Sequence, residues 1–151
     1  MALALALHVL SAVIWVGGMF FAYMALRPVA AELLEPPARL RLWRGVFAKF
    51  FTWVSLAVVL LLITGLWMVF GVYGGMGSTR PYIHIMLTLG VVMMAIYGHV
   101  FFVPYKRLIA AVDAENWMEG GAQLATIRQL IALNLSLGLI VVVVASAGRY
   151  F

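Results

Sequence analysis

Four long apolar runs, separated by short polar stretches, set the pattern of this chain. The runs cover roughly residues 2–26, 47–71, 81–104 and 127–148. Each run exceeds the roughly 20 residues that a helix needs to cross the hydrocarbon core of a bilayer. The pattern therefore predicts an all-α integral membrane protein, in which one transmembrane domain of residues 1–151 forms an up-and-down bundle of four helices. The first ten residues hold no Lys or Arg, which argues for a retained first span over a cleaved signal peptide.

The polar stretches between the runs predict three connections. The first, after residue 26, is rich in Arg and Pro, and the second is a short Gly-rich turn over residues 71–80. The third, over residues 105–126, combines acidic residues with Trp117, a composition compatible with a short interfacial helix. We predict that the first and third connections are otherwise loops.

The basic residues predict the orientation of the bundle. Eight of the ten Lys and Arg residues lie in or beside the first and third connections, and only Arg80 and Arg149 belong to the other side. Short loops rich in Lys and Arg stay in the cytoplasm. We therefore expect the bacterial inner membrane as the location, with the Gly-rich turn and both termini on its outer face.

Composition narrows the class further. Hydrophobic residues make up 66% of the chain and the mean hydropathy is +1.11, which exceeds what a soluble fold of this size buries. The net charge of +5 follows from the basic connections, so nucleic acid is not an expected partner and membrane lipid is. Without cysteine, a disulfide or a thiolate metal site is excluded.

Three histidines inside predicted spans are the first candidates for chemistry, because ionisable groups are costly in hydrocarbon. Spans one and three run in the same direction, which places His8 and His84 at nearly equal depth below the outer face. His99 lies about 22 Å deeper than His84, at 1.5 Å per residue. His8 and His84 can therefore share a partner that His99 cannot reach.

Helical periodicity places these histidines on two stripes that we expect to face the bundle interior. The stripe on the first span contains His8, Ser11, Trp15, Gly18 and Ala22, and the stripe on the third contains His84, Thr88, Val91, Ala95, Gly98, His99 and Phe102. Two level imidazoles on inward stripes suit axial ligation of a b-type haem. Arg80 and Arg149 would then bind the haem carboxylates.

Copper is the alternative ligand, since thioether and imidazole groups suit Cu(I) and the chain holds nine methionines. Met76, in the outer turn before His84, is the best placed of them for copper. Met86 is a competing axial ligand, on the opposite side of the helix from His84. His99 would serve a second cofactor, a quinone pocket or packing, and a membrane subunit without a cofactor is a further alternative.

The segment from Leu7 to Gly18, with His8, Ser11, Trp15 and the Gly17–Gly18 pair, resembles the opening helix of the copper resistance protein D (CopD) family. Residues 50–65 and 82–107 look like its second and third helices. The resemblance implies copper binding or transport across the membrane. The same superfamily includes the four-helix protoporphyrinogen oxidase of the HemJ type, whose first-helix His binds haem b and corresponds to His8. Met86 stands where that oxidase has a functional Lys, which argues against oxidase activity here.

The sequence alone favours a haem b protein that transfers electrons, with His8 and His84 as ligands. A haem ligated on both sides is suited to electron exchange, and its membrane position points to a quinone or a redox protein as partner. An oxidoreductase activity and a homo-oligomer are compatible with this interpretation. Copper handling is the competing function.

Overall fold

A computed structural model of the protein describes residues 1–150, apart from the side chain of Arg149. Its six α-helices are α1 (Ala2–Phe21), α2 (Arg27–Leu33), α3 (Pro36–Trp67), α4 (Pro81–Phe102), α5 (Pro104–Asp113) and α6 (Trp117–Ala147). Two π-helical turns, Ala22–Leu26 and Met68–Val72, continue α1 and α3, and two 3₁₀ turns cover Met76–Ser78 and Gly148–Tyr150. No strand occurs among the described residues, which confirms the all-α prediction.

Four helical segments of the described chain are long and apolar enough to cross a membrane. They are Ala2–Leu33, Pro36–Val72, Pro81–Asp113 and Trp117–Ala147, so the four predicted spans are confirmed and the chain is a multi-pass membrane protein. The spans alternate in direction. We call the end that holds α2, α5 and the first turns of α3 and α6 the basic end, and the opposite end, with Ala2 and residues 73–80, the turn end. Which end faces the cytoplasm stays a prediction.

Helix covers most of the first and third connections, so the prediction of loops there is wrong. Prolines explain how two of these helices start: α3 and α5 each carry Pro in their first turn, where its missing N–H has no helical acceptor to lose. Ahead of Pro28 the helix widens into a π-turn, and the Arg27 N–H donates to the Ala22 carbonyl. Wider turns of this kind accommodate a proline without ending the helix.

A short amphipathic helix, α5, does form in the third connection, but it ends at Asp113 and so precedes Glu115, Trp117 and Glu119, the residues on which the expectation of a short helix depends. Tyr105, Leu108 and Val112 are buried on one side of α5, and this side packs on α6. The chain then reverses at Glu115, whose φ of 53° is unusual for a residue with a side chain. Asn116 ends the turn, because its side chain accepts a hydrogen bond from the Glu119 N–H at 3.1 Å and caps α6.

Helix packing pairs the first span with the second and the third with the fourth. α1 packs mainly against α3, α4 packs mainly against α6, and α6 also contacts α1 and α3. In the core, α1 and α4 meet where the Trp15 and Tyr97 rings pack edge to face, with their centroids 6.1 Å apart. The core between the spans is built from large side chains, among them Trp15, Met19, Phe47, Phe51, Val54, Met93, Leu108, Ile127 and Leu135.

Candidate functional site

His8 is held on the inward side of α1 by a hydrogen bond across the helix pair. Its Nδ1 lies 2.8 Å from Thr64 Oγ1 on α3. On α1, the side that continues from His8 is buried at Ser11, Trp15 and Ala22. The interior stripe predicted for the first span is therefore confirmed, with α3 as the helix that it faces.

The direction of this hydrogen bond follows from the single proton of the Thr64 hydroxyl. Thr64 Oγ1 also lies 2.5 Å from the Leu60 carbonyl oxygen, which can only accept. Thr64 therefore donates to Leu60 and accepts from His8, so that His8 carries its proton on Nδ1. The neutral ring then has its lone pair on Nε2, the arrangement that a metal-ligating histidine adopts when a neighbour fixes its tautomer.

The α3 surface around Thr64 is shaped to receive the imidazole ring. A Cβ atom added to Gly65 would lie 3.3 Å from His8 Cε1, which is tighter than an ordinary contact. Met68 follows Thr64 by one helical turn, and both side chains are buried. The α1–α3 interface near the turn end therefore brings a thioether to the same side of α3 that holds His8.

His84 is held in a different place, by the turn that precedes α4. Its Nε2 lies 2.9 Å from Thr79 Oγ1, and Thr79 Oγ1 donates to the Met76 carbonyl oxygen at 2.8 Å. By the same proton argument, His84 donates through Nε2 and keeps its lone pair on Nδ1. Thr79 thus links His84 to the backbone carbonyl of Met76, and not to the thioether that made Met76 a copper candidate.

The stripe predicted to face inward on the third span faces away from the bundle. Val91 is 52% exposed and Phe102 63% exposed, whereas Met93, on the other side, is 3% exposed. Thr88, Ala95 and His99 are exposed as well, so the expectation of an interior stripe on α4 is wrong. The reason is that α4 packs on α6 through the side that carries Met93.

The remaining predicted site residues are dispersed. Arg80 is exposed at the start of α4 and Met86 is half-buried, while the side chain of Arg149 lies outside the described part of the chain. His99 is exposed near the basic end, so its side chain does not pack inside the bundle. No group of three His, Asp or Glu side chains suited to a metal occurs among the described residues.

A small cavity in the middle of the bundle holds further donors. Its volume is about 20 Å³, and its lining includes Met19 and Asn134, whose Oδ1 is buried without a hydrogen-bond partner in the described chain. Such a volume accommodates one water-sized ligand. The sequence pattern of α6 indicated only close helix packing at Asn134, and the three-dimensional arrangement places Asn134 and Met19 in the lining of one cavity.

Thr64 and Gly65 are the residues beside His8 that sequence reasoning read as packing alone. A depth comparison contained the missing signal: His8 and Thr64 both lie about two turns from the same end of adjacent antiparallel spans. The comparison of His8 with His84 applied the same rule to α1 and α4, which pack mainly against other helices.

These features define a class: a four-span membrane protein with a half-buried, tautomer-fixed imidazole near one end and buried thioethers at Met19, Met68 and Met93 along the bundle. A family model described as copper resistance protein D matches residues 44–147, which is more than half of the chain. The protein belongs to the copper resistance protein D family. The match begins within α3, so the His8 segment lies outside it and its likeness to the family's first helix stays a resemblance. Comparisons with curated proteins and with solved structures gave no match.

Proposed function

We propose that the protein binds Cu(I) as cargo within the membrane, at a site on the α1–α3 interface where His8 Nε2 is the first ligand. The observation that carries this proposal is the hydrogen bond from His8 Nδ1 to Thr64, which leaves Nε2 available. Met68 supplies the nearest buried thioether on that side of α3. Imidazole and thioether ligands together favour Cu(I) over harder cations.

Donors at successive depths support movement of copper, as expected for a family named for copper resistance. Met68 lies near the turn end, while Met19 and Asn134 line the cavity in the middle of the bundle. Met93 is buried against α6 beside Gly138. Weak ligands arranged along a path allow an ion to enter and to leave. The expected setting is the bacterial inner membrane, with His8 toward its outer face.

A haem b protein that exchanges electrons with a quinone is the second candidate, because an imidazole with a free Nε2 also suits haem iron. The observed packing gives the His8–His84 pair less support. α1 packs mainly against α3 and α4 mainly against α6, and neither the small cavity in the middle of the bundle nor the larger cavity at the basic end includes His8 or His84 in its lining.

The test is a Cu(I) titration of the purified full chain against a chromophoric chelator, with an absorption spectrum of each sample. We expect one tightly bound Cu(I), lost in His8→Ala and weakened in Met68→Leu. His99→Ala is the matched control, because this exposed imidazole lies near the other end of the bundle and its loss should leave binding unchanged.

Three results would overturn the assignment. Unchanged copper binding in His8→Ala would remove His8 as a ligand. Loss of copper in His84→Ala alone would move the site to the Met76–Thr79–His84 turn. A Soret band that disappears in His8→Ala, in protein that does not bind copper, would establish the haem candidate.

A further inference from the structure

A cavity of about 260 Å³ lies at the basic end, remote from the His8 site. It forms where the end of α1, α2, the start of α3 and the first half of α6 meet. Three arginines, Arg27, Arg39 and Arg128, contribute to its lining, together with the aromatic rings of Tyr23, Trp43 and Trp117. The cavity therefore combines cationic groups with aromatic rings at one end of a membrane protein.

The charge of this cavity is unbalanced. None of its lining residues is acidic, and Glu32 and Glu35, in the neighbouring connection, are exposed. Two other arginines of the basic end have acidic partners, since Arg41 pairs with Glu115 at 3.5 Å and Arg44 pairs with Asp113. A bound anion would balance the charge of the cavity arginines, as Glu115 does for Arg41 and Asp113 does for Arg44.

Arg27 shows most directly that an acceptor is required. Its Nε is buried without a hydrogen-bond partner in the described chain, and its guanidinium lies over the Tyr23 ring, 4.4 Å from the centroid. Arg39 makes a long contact of 3.5 Å to the Ala31 carbonyl oxygen. Buried charged donors are unfavourable unless an acceptor satisfies them, and the guanidinium groups of arginine suit phosphate oxygens.

The inner part of the cavity is apolar, which distinguishes its ligand from a free anion. Leu40, Phe47 and Ile131 line it and are themselves buried. A ligand that matches both parts carries a phosphate at the arginines and a hydrocarbon portion toward the bundle. Basic pockets between transmembrane helices at a membrane surface recognise anionic lipid headgroups in this way.

We propose that this cavity binds the headgroup of an anionic phospholipid, with its phosphate held by Arg27, Arg39 and Arg128. The volume suits the phosphate, the glycerol backbone and the first carbons of one acyl chain, which contact the apolar inner part, and the rest of the acyl chains extends along the bundle surface. Bound lipid ties α1, α3 and α6 together at the basic end. The proposal is independent of copper binding, because it uses none of the residues at the His8 site.

Native mass spectrometry and thermal unfolding of the full chain in mild detergent test it. Phosphatidylglycerol should bind one to one and raise the unfolding temperature, whereas phosphatidylcholine with the same acyl chains should do neither. Arg27→Gln should weaken phosphatidylglycerol binding by about tenfold, the loss expected for a charge-assisted hydrogen bond. Arg27→Lys keeps the charge without Nε and should show a smaller loss.

Arg107→Gln is the matched control, because it removes the same charge from an exposed position on α5 outside the cavity. Equal loss in Arg107→Gln and Arg27→Gln would show general attraction to basic residues and overturn the site. If glycerol phosphate at the same concentration competes fully, the ligand is a soluble phosphate and the lipid assignment is wrong. Folding of each variant is checked by its retention on size exclusion.

Discussion

Thr64 has one hydroxyl proton and two neighbours that compete for it. Because the Leu60 carbonyl oxygen can only accept, the proton of the His8–Thr64 bond must come from the imidazole. A single threonine thus decides which nitrogen of His8 is available as a ligand. Second-shell partners of this kind fix both the tautomer and the orientation of a ligating ring.

Replacing Thr64 tests this role directly. We expect Thr64→Val to lower Cu(I) affinity by about 10- to 100-fold, the usual cost of losing a second-shell partner, and Thr64→Ser to restore most of it. The measurement is the chelator competition used for His8→Ala. Thr52→Val is the control: the Thr52 hydroxyl makes the same bond within α3, to the Ala48 carbonyl oxygen at 3.0 Å, but meets no histidine. Equal affinity in the Thr64→Val and Thr52→Val variants would refute the role of Thr64.

At the scale of helices, small residues set how closely the spans approach. At Gly138 on α6, an added Cβ would lie 2.9 Å from Val16 Cγ2 on α1 and 3.1 Å from Met93 Cε on α4. Three spans therefore converge on a position that has no side chain. Small residues at such crossings let transmembrane helices pack through van der Waals contacts, since lipid gives no hydrophobic driving force between them.

An alanine at Gly138 should separate these helices. We expect Gly138→Ala to lower the free energy of unfolding by about 1–3 kcal/mol, the range for overpacking a filled core. The readout is the thermal unfolding midpoint in detergent. Gly90→Ala on α4 is the matched control, because a Cβ there meets no atom within 4 Å, and its midpoint should stay unchanged or rise slightly. The packing argument fails if the two variants unfold at the same temperature.

Across the whole molecule, charge divides the bundle into two unlike ends. The basic end holds eight of the ten Lys and Arg residues, and its ion pairs Arg41–Glu115 and Arg44–Asp113 join α3 to the α5–α6 connection. Both pairs are largely exposed, so they contribute little stability. The surplus of Lys and Arg at the basic end matters more, because it favours one orientation of the protein in the membrane.

Reporter fusions measure that orientation. We expect alkaline phosphatase fused to the C-terminus to be active and green fluorescent protein at the same position to be dark, because the basic end stays in the cytoplasm. A phosphatase inserted after Glu35, at the basic end, should be inactive. The opposite pattern at both positions would invert the protein and place His8 on the cytoplasmic side.

The sequence by itself determined the number of spans and their alternation, and it selected His8 as a candidate ligand. These properties depend on the length of apolar runs and on the cost of a polar group in hydrocarbon, which are local quantities. It also determined that α1 turns the Ser11–Trp15 side inward, since polar, aromatic and small residues share one stripe there. The helices in the connections could not be predicted, because the sequence does not distinguish a proline in the first turn of a helix from a proline that ends one.

The tertiary structure decided which helices are neighbours, and with them the partners of each site residue. Every side of α4 is apolar enough to contact either lipid or another helix. The hydrophobic periodicity of its sequence therefore could not show that Met93 faces inward and His99 outward. The pairing of His8 with Thr64, and the convergence of Arg27, Arg39 and Arg128, join residues far apart in the chain. Such contacts depend on the packing of whole helices, which in lipid is set by shape complementarity that a hydrophobic pattern does not encode.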